Sequence, residues 1–246
     1  MQYIDLNCDM GEGMDTDEAI MPFISSANIA CGKHAGDVDT MQQTIDWALE
    51  HGVAIGAHPG FDDRANFGRT NQQLSDCALY DLVAEQLQTL QDICFEMGTR
   101  IHHVKPHGAL YNMAAKDATM SRIIAEVIKE LDSNIVLYGL SNSFLISEAK
   151  AAGLRVGAEV FADRTYQDDG SLTPRTAANA LITDAAQSMQ QVMQLIQEKT
   201  VQTVSGNIIP MPTDTICIHG DGAHAVAFAQ NIHHYLTTAG IGIRPL

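Results

Sequence analysis

Positive charge is scarce in this chain. Across 246 residues, 14 Lys and Arg stand against 30 Asp and Glu, giving a formal net charge of -16 and a pI near 4.8. A field of that sign repels phosphate backbones and anionic lipid surfaces, and no basic run relieves it. Nucleic acid and membrane surfaces are therefore not expected partners. An anionic small substrate has to be held by a few local cations, so each Lys and Arg carries weight. Cysteine is sparse too: five residues with no CxxC pair and an odd count do not suggest a disulfide framework, and a reducing, cytoplasmic setting is expected. No basic stretch followed by an apolar run opens the sequence, and no apolar run approaches the roughly 20 residues of a membrane span. Also missing are a G-x-x-x-x-G-K-[ST] phosphate loop, a strand-linked G-x-G-x-x-G, a G-x-S-x-G elbow and an H-E-x-x-H helix. Any nucleotide binds in some other way, or on a partner.

What is present is an alternation. Short Val- and Ile-rich runs alternate with longer stretches of helical period, which is the pattern of βαβ units on a mostly parallel sheet. Strands are expected at 3–7, 27–30, 54–57, 102–105, 135–138, 155–161 and 215–218. Helices are expected near 40–51, 76–97, 118–131, 144–152, 183–198 and 223–238, with Ser75 capping the longest and Gly98 ending it. With 46% hydrophobic residues, the length suits one α/β barrel. A single domain over 1–246 is the simplest reading, decorated by a hairpin near 201–212 around Ser205-Gly206-Asn207.

Polar residues gather just after nearly every expected strand: Asp9 and Glu12, then His34 and Asp37, then His58, Lys105 and His107, Glu159 with Asp163 and Arg164, and His219 with Asp221. In a parallel barrel those ends converge on one face, where loops build the active site. Glycines beside them (Gly11, Gly32, Gly36, Gly60, Gly108, Gly220, Gly222) let backbone approach a ligand closely, though βα turns favour glycine in any case. Asp9 and Glu12 suit base, acid or metal-ligand roles. Lys105 is either an anion-binding cation or half of a buried ion pair with Asp9, Glu12 or Glu159. His102 and His103 open a strand, so one faces inward. Residues 163–175, around Asp168-Asp169-Gly170, read as a mobile loop over the mouth, carrying Tyr166 and Arg175. Arg64 and Arg69 are candidate anion binders, with surface salt bridges as the default.

The segments Asp5-Leu6-Asn7-Cys8-Asp9-Met10-Gly11-Glu12, 27–37 (ANIACGKHAGD), 55–60 (IGAHPG), 104–112 (VKPHGALYN), 159–166 (EVFADRTY) and 218–221 (IHGD) resemble the LamB/YcsF family, in family order and over nearly the whole chain. The resemblance implies a distorted seven-stranded βα barrel like that of polysaccharide deacetylases. It also implies the A component of a bacterial 5-oxoprolinase. That enzyme opens the lactam of 5-oxo-L-proline to L-glutamate with ATP, and with Mg2+ beside it, in concert with subunits B and C. Carried over by motif, Asp9, Glu12, Lys105 and His107 are the catalytic candidates. His34, Asp37, His58, Glu159, Asp163, Arg164, His219 and Asp221 are candidates for binding substrate or phosphate. A metal, if one is used, is expected on Asp9, His34, His58 and His107. Lys33, where the family commonly has an apolar residue, and Asn66 with Thr70, in place of Gly and Arg near Phe67-Gly68-Arg69, depart from the family's common pattern, with an effect on substrate fit or partner docking left open.

The expected chemistry phosphorylates the lactam oxygen so that water can attack the ring carbon. Lys105 or Arg164 would stabilise the oxygen, Asp9 or Glu12 activate water, and His107 protonate the leaving nitrogen. Replacing Lys105 by methionine is expected to remove turnover and leave the fold intact. Two other readings stand beside this one: a metal-dependent deacetylase or amidohydrolase working without ATP, and a non-catalytic component that presents a small amide.

Overall fold

The computed structural model describes residues 2–218 and 225–246. His219 and Asp221 lie outside the described residues. The strands are β1 Gln2–Met10, β2 Ser26–Ala30, β3 Ala54–His58, β4 His103–Val104, β5 Val136–Leu140, β6 Arg155–Phe161, β7 Thr200–Gln202, β8 Ile208–Pro210, β9 Thr215–Ile218 and β10 Ile241–Ile243. The helices are α1 Asp17–Ile20, α2 Val38–His51, α3 Asp76–Glu96, α4 Gly108–Ala114, α5 Ala118–Leu131, α6 Phe144–Ala152, α7 Ala185–Gln197 and α8 Ala225–Thr238. Seven parallel strands close a barrel in the order β1-β2-β3-β4-β5-β6-β9, with β9 returning to β1. Outside the ring, β10 runs parallel to the first residues of β1, pairing Gln2 with Ile241. No helix among the described residues is long and apolar enough to cross a membrane.

The first strand shows how sequence sets the barrel. Successive side chains point to opposite faces, and Leu6, Cys8 and Met10 are fully buried in the apolar core cluster. Asp5, Asn7 and Asp9, on the other face, bond to side chains of neighbouring strands. The Asp5 carboxylate accepts from Ser25 (2.6 Å), Ser26 (2.7 Å) and Thr215 (2.5 Å). Burial raises the Asp5 carboxyl, and the hydroxyl donors pull the other way. The strand therefore runs to Met10 rather than stopping at Asn7. Asp9 belongs to the strand, not to the loop after it, because its polar character is what an inward position of this barrel requires.

Two other expectations shift for local reasons. The fourth strand shortens to two residues because Pro106 has no N–H to continue the ladder, although Lys105 N–H still reaches Ala57 O at 2.9 Å. Right behind it the His107-Gly108 pair starts α4, a helix hidden inside a motif that reads as loop. The longest helix follows its pattern closely. Ser75 accepts from Ala78 N–H, Leu79, Val83, Leu87, Leu90 and Cys94 form the buried stripe, and Gly98 at φ 71° follows the last turn.

The long connection after β6 is tied down. Tyr166 is fully buried and its hydroxyl accepts from Phe161 N–H at 2.7 Å. Asp168 accepts from Thr203 and Ser205, both at 2.5 Å, and from Asn207 at 3.1 Å, so the turn of the β7–β8 hairpin holds the loop. The connection expected to be a mobile loop around Asp168-Asp169-Gly170 is thus anchored at both points.

Inside the barrel, His103 stacks on Tyr138 (centroids 4.2 Å apart, 16° between planes) and meets Asn28 Oδ1 at 2.8 Å. That ring occupies the space over Gly56, where an added Cβ would stand 2.1 Å from His103 Nε2. A Gly56→Ala variant is expected to lose about 1–3 kcal/mol to overpacking, about 2–4 °C per kcal/mol for a chain of this size. Thermal unfolding checks it. An unchanged melting temperature would mean that the His103 ring is not held as described.

Candidate active site

Lys105 is the cation at the barrel's centre. Its Nζ lies 2.8 Å from Asp9 Oδ1, 2.8 Å from Glu159 Oε1, 3.1 Å from Asn7 Oδ1 and 3.2 Å from Cys217 Sγ. Only 2% of the residue is exposed and Glu159 is fully buried. Burial opposes the ammonium charge, but Asp9, the Cys217 sulfur and Glu159 outweigh it and hold the Lys105 pKa well above the usual value. The anions are held in turn. Asn28 donates to Asp9 at 2.8 Å, and the Tyr111 hydroxyl donates to Glu159 at 2.5 Å. The buried-ion-pair reading of Lys105 thus describes its geometry, and it has no hydrogen left for a phosphorylated substrate oxygen.

Beside this centre stand Glu12 and three histidines. Glu12 Oε1 lies 3.1 Å from His107 Nδ1, 3.4 Å from His34 Nε2 and 3.7 Å from His58 Nε2. His58 Nε2 is 3.0 Å from His107 Nδ1 and 3.4 Å from Asp9 Oδ2. Burial opposes the Glu12 charge, yet the facing His107 and His34 rings hold its carboxyl down at about 2. Burial drives His34 down to about 4, against the pull of Glu12, so the ring is neutral at pH 7. For His58, burial is outweighed by Asp9 and Glu12, which raise it. Among the described residues, four atoms that could hold a metal ion belong to Glu12, His34, His58 and His107. Glu12 takes the place expected for Asp9, whose carboxylate is engaged by Lys105.

A cavity of about 820 Å3 opens from this floor, with Asp9, Glu12, His58, Lys105 and His107 at its base. Arg69, Lys116, Arg164 and Arg175 also line it. With Lys105 these are five of the chain's 14 Lys and Arg residues, against three acidic residues among the described lining, Asp9, Glu12 and Asp117. The chain-wide excess of acid is locally inverted, which favours an anionic occupant.

Other candidates lie elsewhere. Asp37 is exposed and accepts from Thr40 N–H at 2.9 Å as the N-cap of α2, so its carboxylate is committed to the helix rather than to the larger cavity. Asp163 is not among the cavity's lining residues; its carbonyl accepts from Ile182 N–H at 2.8 Å. Arg164 lines the cavity while donating to the Thr173 and Ala180 carbonyls. Of the two loop arginines, Arg64 donates to the Gly32 and Gly36 carbonyls, and Arg69 lies 4.9 Å over the Phe67 ring. Of the departures, Lys33 pairs with Glu85 at the surface, while Asn66 and Thr70 both bond Asp63 within the 62–70 loop.

A family model described as LamB/YcsF matches residues 4–246. The chain belongs to the LamB/YcsF family. It is 51% identical to the A subunit of the 5-oxoprolinase from Tolumonas auensis over all of both chains, and 52% identical to that of Shouchella clausii over 99% of this chain and 98% of the relative. Among solved structures, the lactam utilization protein from Thermus thermophilus superposes with a TM-score of 0.92 at 36% identity, with both chains fully covered. A family 4 carbohydrate esterase from Streptomyces lividans, in complex with acetate, gives a TM-score of 0.53 at 12% identity over 98% of this chain and 91% of its own, a likeness of fold alone.

Several residues of this LamB/YcsF site escape sequence reasoning. Tyr111 sits on α4, where a helical reading was not made, and Asn28 looks like one residue of an apolar strand. Period-two alternation from Asp5 to Asp9 is the signal that would have found the barrel's polar interior.

Two expectations follow. Lys105→Met leaves Asp9 and Glu159 facing each other without a cation, so the fold should lose about 3–5 kcal/mol, contrary to the expectation that it survives intact. Chemical denaturation measures this, and an unfolding free energy within about 1 kcal/mol of the parent would show the pair to be dispensable. The second concerns Asp17, which accepts from Gly11 N–H at 2.7 Å in the turn carrying Glu12, and which burial raises from 3.8 to about 6. A raised carboxyl contributes stability below the unfolded value and loses it as pH climbs through the folded one. The Asp17→Asn variant should therefore gain about 3 kcal/mol relative to the parent between pH 4 and pH 6. Parallel stability curves would refute it.

Proposed function

We propose that this chain is the A subunit of an ATP-dependent 5-oxoprolinase, opening the lactam of 5-oxo-L-proline to L-glutamate with subunits B and C in the cytoplasm. The charge inversion in the cavity carries the reading: an otherwise acidic protein concentrates its cations where a carboxylate and a transferring phosphoryl group have to be held. The names of the full-length relatives supply the substrate class. The cavity is larger than one five-membered ring fills, leaving room for the phosphoryl donor, ATP with Mg2+.

A lactam resists water because its nitrogen shares electrons with the carbonyl. Transfer of the γ-phosphoryl group of ATP to the lactam oxygen releases ADP and makes the ring carbon electrophilic. A first water attacks that carbon, and the ring C–N bond breaks as nitrogen takes a proton. A second water then frees phosphate from the resulting acyl phosphate, leaving the carboxylate. In this scheme Arg164 and Arg175, on the cavity wall, bind the anionic groups, since Lys105 is saturated. Lys105 keeps Asp9 ionised and aimed. Glu12, held low by its histidines, or Asp9 takes the proton of the attacking water, and His107 delivers one to nitrogen.

Glutamate release is to be measured with and without subunits B and C, each with and without ATP, alongside a chelator control. Release is expected only with ATP and all partners. Exposed Arg175, replaced by Ala, should cost kcat/KM about 10- to 100-fold, the loss of one charge-assisted hydrogen bond. ATP-independent amide hydrolysis abolished by chelator would instead establish the deacetylase-like reading, and inactivity of every well-folded combination would discard the lactam.

A further inference from the structure

We infer that Glu12, His58 and His107 form a three-ligand site for a divalent cation of the zinc class, open toward the large cavity. The tautomers carry the argument. His58 Nδ1 lies 2.7 Å from Lys105 O, and His107 Nε2 lies 2.9 Å from Phe67 O. A carbonyl only accepts, so both of those nitrogens carry hydrogen. With both rings neutral, as metal ligands have to be, lone pairs are left on His58 Nε2 and His107 Nδ1, which face each other at 3.0 Å. Glu12 Oε1, on a side chain more than nine-tenths buried, closes the triangle and has no hydrogen-bond partner among the described residues. Three such groups pointed at one space suit a cation, which can take a lone pair from each at once.

The dimensions agree. The triangle's edges are 3.0, 3.1 and 3.7 Å, around the roughly 3.3–3.4 Å separating ligands on a tetrahedral ion with bonds of about 2.0–2.1 Å. The His58 and His107 planes meet at 86°, so one point can lie in both. His34 does not fit the same set. It stacks on His107 with centroids 3.8 Å apart and planes 3° from parallel, and an ion in the plane of one ring lies far out of the plane of the other. His34 also lines a smaller pocket, not the large cavity. Its place is beside Glu12, as a positioning residue.

Two imidazoles and one carboxylate suit zinc-class ions better than Mg2+, which prefers oxygen. The site is thus distinct from any Mg2+ travelling with ATP. The Lys105 and Phe67 carbonyls are outer partners of the kind that orient metal-bound histidines. Such an ion, when bound, would polarise a carbonyl or acidify a water in the cavity, with Glu12 and His107 then serving as its ligands rather than as proton carriers and Asp9 left as the base.

The test does not depend on the lactam reading, because its readout is metal content. Full-length protein stripped with chelator is titrated with zinc, passed over a desalting column and assayed by mass spectrometry for zinc per chain. Cobalt is then substituted, and its visible absorption reports four-coordinate geometry. One zinc per chain is expected. Glu12→Gln, His58→Asn and His107→Asn should weaken binding by more than about 100-fold, the most that losing an outer partner costs. His34→Phe, which keeps the stack, should stay within about 10-fold of the parent. Circular dichroism establishes that each variant is folded, and Glu12→Gln, being nearly isosteric, serves where a histidine variant is not. A parent protein that retains no zinc, or folded ligand variants that retain it fully, would overturn the site. A His34→Phe loss as large as that of His58→Asn would overturn the three-ligand arrangement.

Discussion

Lys105 sits with almost no water around it, and an ammonium in that position is stable only if anions surround it. Asp9 on β1 and Glu159 on β6 supply the charge, each at 2.8 Å, and Asn7 supplies a carbonyl oxygen. Neither carboxylate is stable in that interior without donors of its own, so Asn28 on β2 and Tyr111 on α4 are drawn in. Asn7 in turn donates to Thr215 on β9 and accepts from Asn28. One buried cation thereby links β1, β2, β6 and β9 through ion pairs and hydrogen bonds largely shut off from solvent. Pairing of this kind offsets desolvation only when every member is satisfied.

That requirement inverts the usual arrangement of a parallel barrel, whose interior is filled with layers of bulky aliphatic side chains. Here Asp5, Asn7, Asn28, His103, Lys105 and Glu159 are buried and polar, and they bond to one another and to Thr215, Ser26 and Tyr111 across the strands. The apolar core is displaced outward, to the shell between strands and helices, where Leu6, Met10, Ile29, Leu87 and Leu90 are fully buried. The floor of the cavity is thus continuous with the barrel's own scaffold. Groups placed for chemistry are rigid because removing any one of them leaves the others unpaired.

The same inversion explains what sequence reasoning could and could not read. The strand at 155–161, the strand at 215–218 and the helices at 118–131 and 144–152 follow from periodicity and caps, and they form where expected. The clustering of Asp9, Glu12, His34, His58, Lys105 and His107 follows from the topology of a parallel barrel and needs no side-chain detail. Other features depend on which face of a strand looks inward. Reading β1 as ending at Asn7 treats alternating polar residues as loop, because in most barrels an inward Asp is too destabilising to keep. Asn28 is overlooked for the same reason, and of His102 and His103 the sequence says only that one faces inward. Asp37 fails in the opposite sense: a carboxylate three residues after a histidine at a strand end resembles a ligand, but it also stands one residue before a helix, and the cap wins. The 163–175 segment reads as mobile because its anchors, the hydroxyls and amide of Thr203, Ser205 and Asn207, lie some 35 residues downstream.

The 62–70 loop joins the two halves of the site. Phe67, at φ 56°, points its carbonyl at His107 Nε2 and so dictates which nitrogen of that ring faces Glu12. Next to it, Gly68 packs so closely that an added Cβ would stand 2.8 Å from His34 Cβ and 2.9 Å from His107 Cδ2. The loop's shape is set by Asp63, which receives hydrogen bonds from Asn66 and Thr70. Those side chains touch neither Glu12 nor the histidines. Their influence passes through backbone: a small rotation at Phe67 moves the carbonyl, the carbonyl sets the tautomer, and the tautomer decides whether His107 Nδ1 offers a lone pair or a proton to the cavity. Variation in this loop therefore reaches the chemistry without altering a single group that performs it.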